Sequence, residues 1–94
     1  PLPHDALNAH RVDLITLAEG HRLRNLRVFG SAMRRTDTPA SDLDLLVTAS
    51  PGVGLLTLAA FAREAGDLLG VEVDVVTDGA LGPDDEIITT AVAV

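Results

Sequence analysis

The segment Gly30-Ser31-Ala32-Met33-Arg34-Arg35-Thr36-Asp37-Thr38-Pro39-Ala40-Ser41-Asp42-Leu43-Asp44-Leu45-Leu46-Val47 decides how the rest of the chain is read. It opens on a Gly-Ser pair, crosses ten residues and ends in an Asp-x-Asp pair set into an apolar run. Side chains alternate sides along a strand, so Asp42 and Asp44 share a face with Leu46, while Leu43, Leu45 and Val47 form the other. The two carboxylates then lie roughly 6.5 Å apart at the backbone, within reach of one divalent cation. Without a cation they repel and raise each other's pKa. One face of this strand is therefore core and the other carries chemistry, and the pair calls for a metal.

Working outward, Leu23 to Phe29 is rich in Leu, Val and Phe and stops at Gly30, which predicts a first strand. Gly30-Ser31-Ala32-Met33 reads as a tight exit turn into a short helical turn. There a Ser hydroxyl and backbone N–H groups make a natural phosphate cradle. The same residues would serve equally as an ordinary helix cap. Arg35 to Ser41 holds the turn formers Asp37, Pro39 and Ser41 and is predicted to be a solvent loop. Asp42 to Thr48 is the second strand, and Ser50 to Gly54 a loop.

Upstream, apolar residues from Ala6 to Ala18 recur every three or four positions, predicting one amphipathic helix capped near Asp5 and stopped near Gly20. His4, His10 and His21 lack metal-ligand spacing and read as surface or cap residues. Downstream, Leu55, Leu58, Ala59, Ala62, Ala65 and Leu69 give a second amphipathic helix ending at Gly70. Val71 to Thr77 alternates cleanly into a third strand with Glu72, Asp74 and Val76 on one face. A carboxylate in mid-strand is costly unless exposed or bound, so Asp74 is either a solvated residue or a third functional acid. Pro83 to Glu86 resembles a helix start with Pro at the first position and acids in the first turn. Ile87 to Val94 is apolar and β-branched, a candidate contact surface for an oligomer.

Ninety-four residues make one domain, residues 1–94, with a modest core. Hydrophobic residues make up 47% but aromatics only 2%, so Leu, Val, Ile and Ala build that core. No apolar run approaches the roughly 18 residues of a membrane span. The start lacks the basic and apolar regions of a signal peptide, so the expected location is cytoplasmic. The absence of cysteine excludes disulfides and thiolate ligands. A net charge of -7 argues against a grip on long nucleic acid. All seven basic residues are Arg, and Arg22, Arg24, Arg27, Arg34 and Arg35 crowd around Gly30-Ser31. Such a group is either a solvated basic edge or a local site for a small phosphate compound.

The order of these signals is more specific than any one of them: strand, Gly-Ser turn, ten residues, Asp-x-Asp strand, helix, strand with a third Asp. Phe29-Gly30-Ser31, Arg34, Ser41 to Val47 and Val73-Asp74-Val75-Val76 together resemble the nucleotidyltransferase superfamily of the DNA polymerase β-like fold, and within it the minimal members. Met33 and Arg35 flank Arg34 where that family often has small residues. The resemblance implies an α/β (α+β) fold, a small mixed sheet of about three strands flanked by helices. It implies that Asp42 and Asp44 hold Mg²⁺ against a nucleoside triphosphate, that Asp74 completes a second metal site and helps deprotonate an acceptor hydroxyl, and that Gly30, Ser31 and Arg34 bind phosphates. Two Mg²⁺ ions and ATP are the implied cofactor and donor. The family's larger enzymes carry a further acceptor-binding domain, which this length leaves no room for.

Three functions fit the resemblance. The first is transfer of AMP from ATP to a hydroxyl of a HEPN-type toxin, with the chain acting as antitoxin. The second is a binding module that neutralises such a partner by occlusion. The third is an aminoglycoside-type adenylyltransferase acting on a small molecule.

Overall fold

In a computed structural model describing residues 1–94, the strand that begins within the Asp-x-Asp pair and carries Asp44 lies inside a four-stranded mixed sheet. In chain order the elements are α1 (Pro3–Ala9), α2 (Arg11–Gly20), β1 (Leu23–Phe29), α3 (Gly30–Arg34), β2 (Leu43–Ala49), α4 (Leu55–Leu69), β3 (Val73–Thr77), a 3-10 turn (Asp78–Ala80), α5 (Glu86–Thr90) and β4 (Val92–Ala93). The sheet order is β3-β2-β1-β4. β1 pairs antiparallel with β2 and β4, whereas β2 and β3 run parallel from Leu43↔Val73 to Val47↔Thr77. A parallel neighbour needs a crossover, and α4 supplies it.

The alternation read from β2 fixes which face the helices cover. Leu43, Leu45 and Val47 are wholly buried and join Ala6 and Leu7 of α1, Leu14 and Ala18 of α2, and Phe61 and Ala65 of α4 in one core. Burial of each large side chain there contributes about 1.5–3 kcal/mol. Leu46 points the other way and is buried outside that core, flanked by its strand partners Arg27 and Val76. The reverse face therefore begins with Asp44 and Asp74 and closes over Leu46.

The structure departs from the predicted elements at several points; β2 starts at Leu43 instead of Asp42 and β3 at Val73 instead of Val71, for example. The leading helix is two helices, broken at His10 (φ -123°), and Asp5 lies inside the first, whose cap is Leu2. The second of the two ends at Gly20 as predicted, with His21 as its cap and Arg22 in the left-handed region beyond it (φ 62°). There are four strands rather than about three, because the tail from Ile87 to Val94 folds back as α5 and an exposed edge strand, β4. Pro83 precedes that helix without starting it; Asp85 caps it, its side chain accepting the Ile87 N–H at 2.9 Å.

The predicted solvent loop is anchored. The Asp37 side chain is fully buried and accepts the His4 N–H at 2.8 Å and the His4 ring at 2.7 Å. Thr38 and Ser41 close a turn beside it, with the Ser41 N–H donating to the Thr38 carbonyl at 2.9 Å. His4 is therefore a clasp and not a surface residue. His21 is likewise half-buried, pairing with Glu64 at 3.1 Å and packing edge-on against Phe61.

Candidate active site

Antiparallel pairing of β1 with β2 sets Phe29 opposite Asp44, so the chain leaves β1 directly over that carboxylate. Gly30 turns there with φ 72°, and a Cβ on it would stand 2.2 Å from Asp44 Oδ2. No other residue fits both the dihedral and the approach. Gly30 and Ser31 then open α3, a single turn that ends at Arg35 in the left-handed region (φ 59°). The Thr36 N–H donates to the Ser31 carbonyl at 3.0 Å and ties the turn shut.

Parallel pairing of β2 with β3 sets Asp74 beside Asp44. Asp42 lies just before β2, and its charge acts with that of Asp74 on Asp44, so the three carboxylates gather at one end of the sheet. Asp42 and Asp44 are half-buried and Asp74 is exposed. Burial pushes the Asp44 carboxyl above its ordinary range, the charges of Asp74 and Asp42 push it further, and Arg34 partly offsets them. Asp44 is the focus of this negative field.

The predicted site residues thus divide in two. Asp44 and Asp74 come together through the sheet register, Gly30 lies against Asp44 with Ser31 next to it in α3, and Asp42 and the exposed Arg34 reach Asp44 by their charges. The wider arginine cluster disperses. Arg22 donates to the Pro51 carbonyl at 3.0 Å, and Arg27 pairs with Asp78 at 2.9 Å while donating to Thr48 at 3.3 Å. Hydrogen bonds from Thr48 and Arg27 hold the Asp78 carboxyl below its ordinary range, although burial opposes them. This network and the His4–Asp37 clasp were not legible in the sequence, since the partners lie 51 and 33 residues apart with no motif between them.

No three His, Asp or Glu side chains stand in an arrangement that would hold a metal ion by itself. The donor chemistry nevertheless fits Mg²⁺: the three acids are hard oxygen donors, no imidazole or thiolate accompanies them, and their mutual repulsion at Asp44 is what a divalent cation relieves. Acids on one side, a glycine turn opening a helix on the other: the arrangement suits a phosphate chain bound through cations.

A model of the nucleotidyltransferase domain matches residues 17–92. The chain belongs to the nucleotidyltransferase family. This nucleotidyltransferase is 33% identical over 90 residues to a Methanocaldococcus jannaschii protein named "Putative protein adenylyltransferase MJ0435", covering 94% of the chain and 97% of that relative. It superposes with TM-score 0.85 and 34% identity on a solved structure described as a "putative minimal nucleotidyltransferase", over 97% of this chain and 95% of that one. A crystal structure of a toxin-antitoxin with AMP-PNP shares the fold at TM-score 0.76 and 21% identity, over 87% of this nucleotidyltransferase and 69% of that chain. The chain is therefore a transferase enzyme with the mixed-sheet fold of its family. No helix of the nucleotidyltransferase is long and apolar enough to cross a membrane.

Proposed function

We propose that this nucleotidyltransferase transfers AMP from ATP to a hydroxyl on a partner protein, a HEPN-type toxin, and acts in the cytoplasm as its antitoxin. The observation that carries the reading is the close approach of Gly30 to Asp44, where a Cβ would meet the carboxylate, and it supports treating the glycine turn and the carboxylate strand as one site. The name of the M. jannaschii relative supports protein adenylyl transfer, and the AMP-PNP complex supports an adenine nucleotide and a toxin partner.

Asp42 and Asp44 would hold one Mg²⁺, and Asp74 with Asp44 a second. Bound there, the ions would offset the charge of the triphosphate and of the developing oxyanions. The chain's own residues do the remainder. Gly30 brings backbone N–H groups against the phosphates, Ser31 adds a hydroxyl donor and Arg34 a guanidinium. Asp74, exposed at the rim, accepts the proton of the attacking hydroxyl. The hydroxyl oxygen bonds to the α-phosphorus while the bond from that phosphorus to the bridging oxygen of the departing pyrophosphate breaks.

The test incubates the chain with ATP labelled at the α-phosphate, Mg²⁺ and a HEPN-type toxin, beside an Asp42→Ala, Asp44→Ala double variant. Label on the toxin that disappears in the variant is the expected result. Neutralisation that survives in the variant without label would instead make the chain an occluding module. Label on an aminoglycoside but on no protein would move the acceptor to a small molecule. Asp74→Asn should keep AMP-PNP binding and lose transfer; equal loss of both would sink its role.

A further inference from the structure

β3 has a partner on one side only. The Leu43 N–H donates to the Glu72 carbonyl at 2.8 Å, and this sets the phase of the parallel ladder. Even-numbered residues of β3 bond to β2, so Val73, Val75 and Thr77 turn their N–H and C=O groups to the open edge. Along the start of that edge lies a groove of about 470 Å³. Its α4 wall is low, because Ala62, Gly66 and Gly70 carry little or no side chain. Its charged lining is acidic on balance: Asp67, Glu72 and Asp74 against Arg63.

We propose that the β3 edge is the docking strand for an extended, basic segment of the acceptor protein, which pairs with Val73, Val75 and Thr77 and presents its hydroxyl beside Asp74. The proposal rests on the adenylyl-transfer reading above and specifies how the acceptor arrives. Three observations converge on it. The free ladder groups supply sequence-independent affinity for an extended chain, and the groove takes alternate side chains of the added strand. The acidic lining selects Lys or Arg among them. Continuity with the reaction centre supplies the third, since Asp74 belongs both to the groove and to the carboxylate group around Asp44. A strand added at the usual spacing of about 4.8 Å sets one residue directly beside Asp74, on the same face. A Tyr, Ser or Thr there gives its hydroxyl proton to Asp74 while its oxygen bonds to the α-phosphorus of ATP and pyrophosphate departs.

The test uses the whole chain with a peptide of about nine residues that alternates Lys and Val around a central Tyr. At saturating peptide, amide exchange at Val73, Val75 and Thr77 should slow by about tenfold or more, with the β2 amides unchanged. Label from ATP should appear on the Tyr. Val75→Pro removes an edge donor without touching the β2 ladder, so labelling should fall about tenfold or more while AMP-PNP binding is kept. Asp67→Lys with Glu72→Lys should raise the peptide KM with little change in kcat. Absence of protection at millimolar peptide overturns the proposal, and so does full labelling by Val75→Pro. Protection that grows with protein concentration in the absence of peptide would assign the edge to a second copy and overturn it equally. Failure of the wild-type chain to bind AMP-PNP sinks the adenylyl-transfer reading, a result separable from loss at the edge alone.

Discussion

At Gly30 the backbone and a carboxylate compete for the same space. A methyl group there would meet Asp44 Oδ2 at 2.2 Å and would also sit at φ 72°. Gly30→Ala should therefore cost about 2 kcal/mol or more in urea unfolding, the sum of left-handed strain and a displaced side chain. It should also lower transfer at least about a hundredfold, because a shift near 1 Å at the reacting groups is enough for that. Asp44 has the opposite balance. Its raised pKa means that the charged form is disfavoured in the folded chain, chiefly by burial. Asp44→Asn should thus abolish transfer yet raise the melting temperature of the metal-free protein by a few degrees. A melting temperature below wild type would contradict the electrostatic account.

Among the elements, the loop from Arg35 to Ser41 has the least local reason to be ordered. Pro39 and the Thr38–Ser41 turn bend it, but only the clasp from α1 fixes it to the body of the protein. Asp37 has no exposed side-chain surface, and burial alone would raise its pKa. The N–H and imidazole of His4 outweigh burial and hold it below the ordinary range. Asp37→Ala removes the acceptor of the half-buried His4 N–H and ring, which costs about 1 kcal/mol. Because the loop joins the Gly-Ser turn to Asp42, the same variant should raise the KM for ATP; unchanged kinetics would reduce the clasp to a stabilising contact. α5 and β4 illustrate the same dependence on distant support. Asp85 caps α5, and β4 then closes the sheet through Arg27↔Ala93 and Val28↔Val92.

For the whole molecule, the shifted carboxylates set opposing slopes in stability against pH. Asp37 and Asp78 have folded pKa values below the ordinary 3.8, so their contribution is complete above that value and is lost as pH falls through the folded values. Asp44 is raised above 3.8, so the folded chain holds its proton longer, and stability declines as pH rises through its folded value. Stability should therefore be greatest in mild acid and decline toward both strong acid and neutrality. Urea unfolding from pH 2 to 8 checks this. In Asp44→Asn the decline toward neutrality should shrink, while the acid limb stays as in wild type.

Much of this protein was determined by local sequence. The alternation from Leu43 to Val47 assigned core and chemical faces because a strand has a period of two and only one side can meet the helices. Leu55 to Leu69 formed the helix its spacing predicted, and Gly70 ended it in the left-handed conformation that glycine adopts without strain. Asp74, unremarkable alone, was tied to Asp42 and Asp44 only by the family resemblance, and the parallel register of β2 and β3 set it beside Asp44. Tertiary structure decided what depends on partners far along the chain: the break at His10, the burial of Asp37 against His4, the pairing of Arg27 with Asp78 and the return of the tail as β4. The reason is physical. Periodicity and turn chemistry are written within a few residues, whereas a buried charge or an edge strand is stabilised only by a complementary group that folding brings to it.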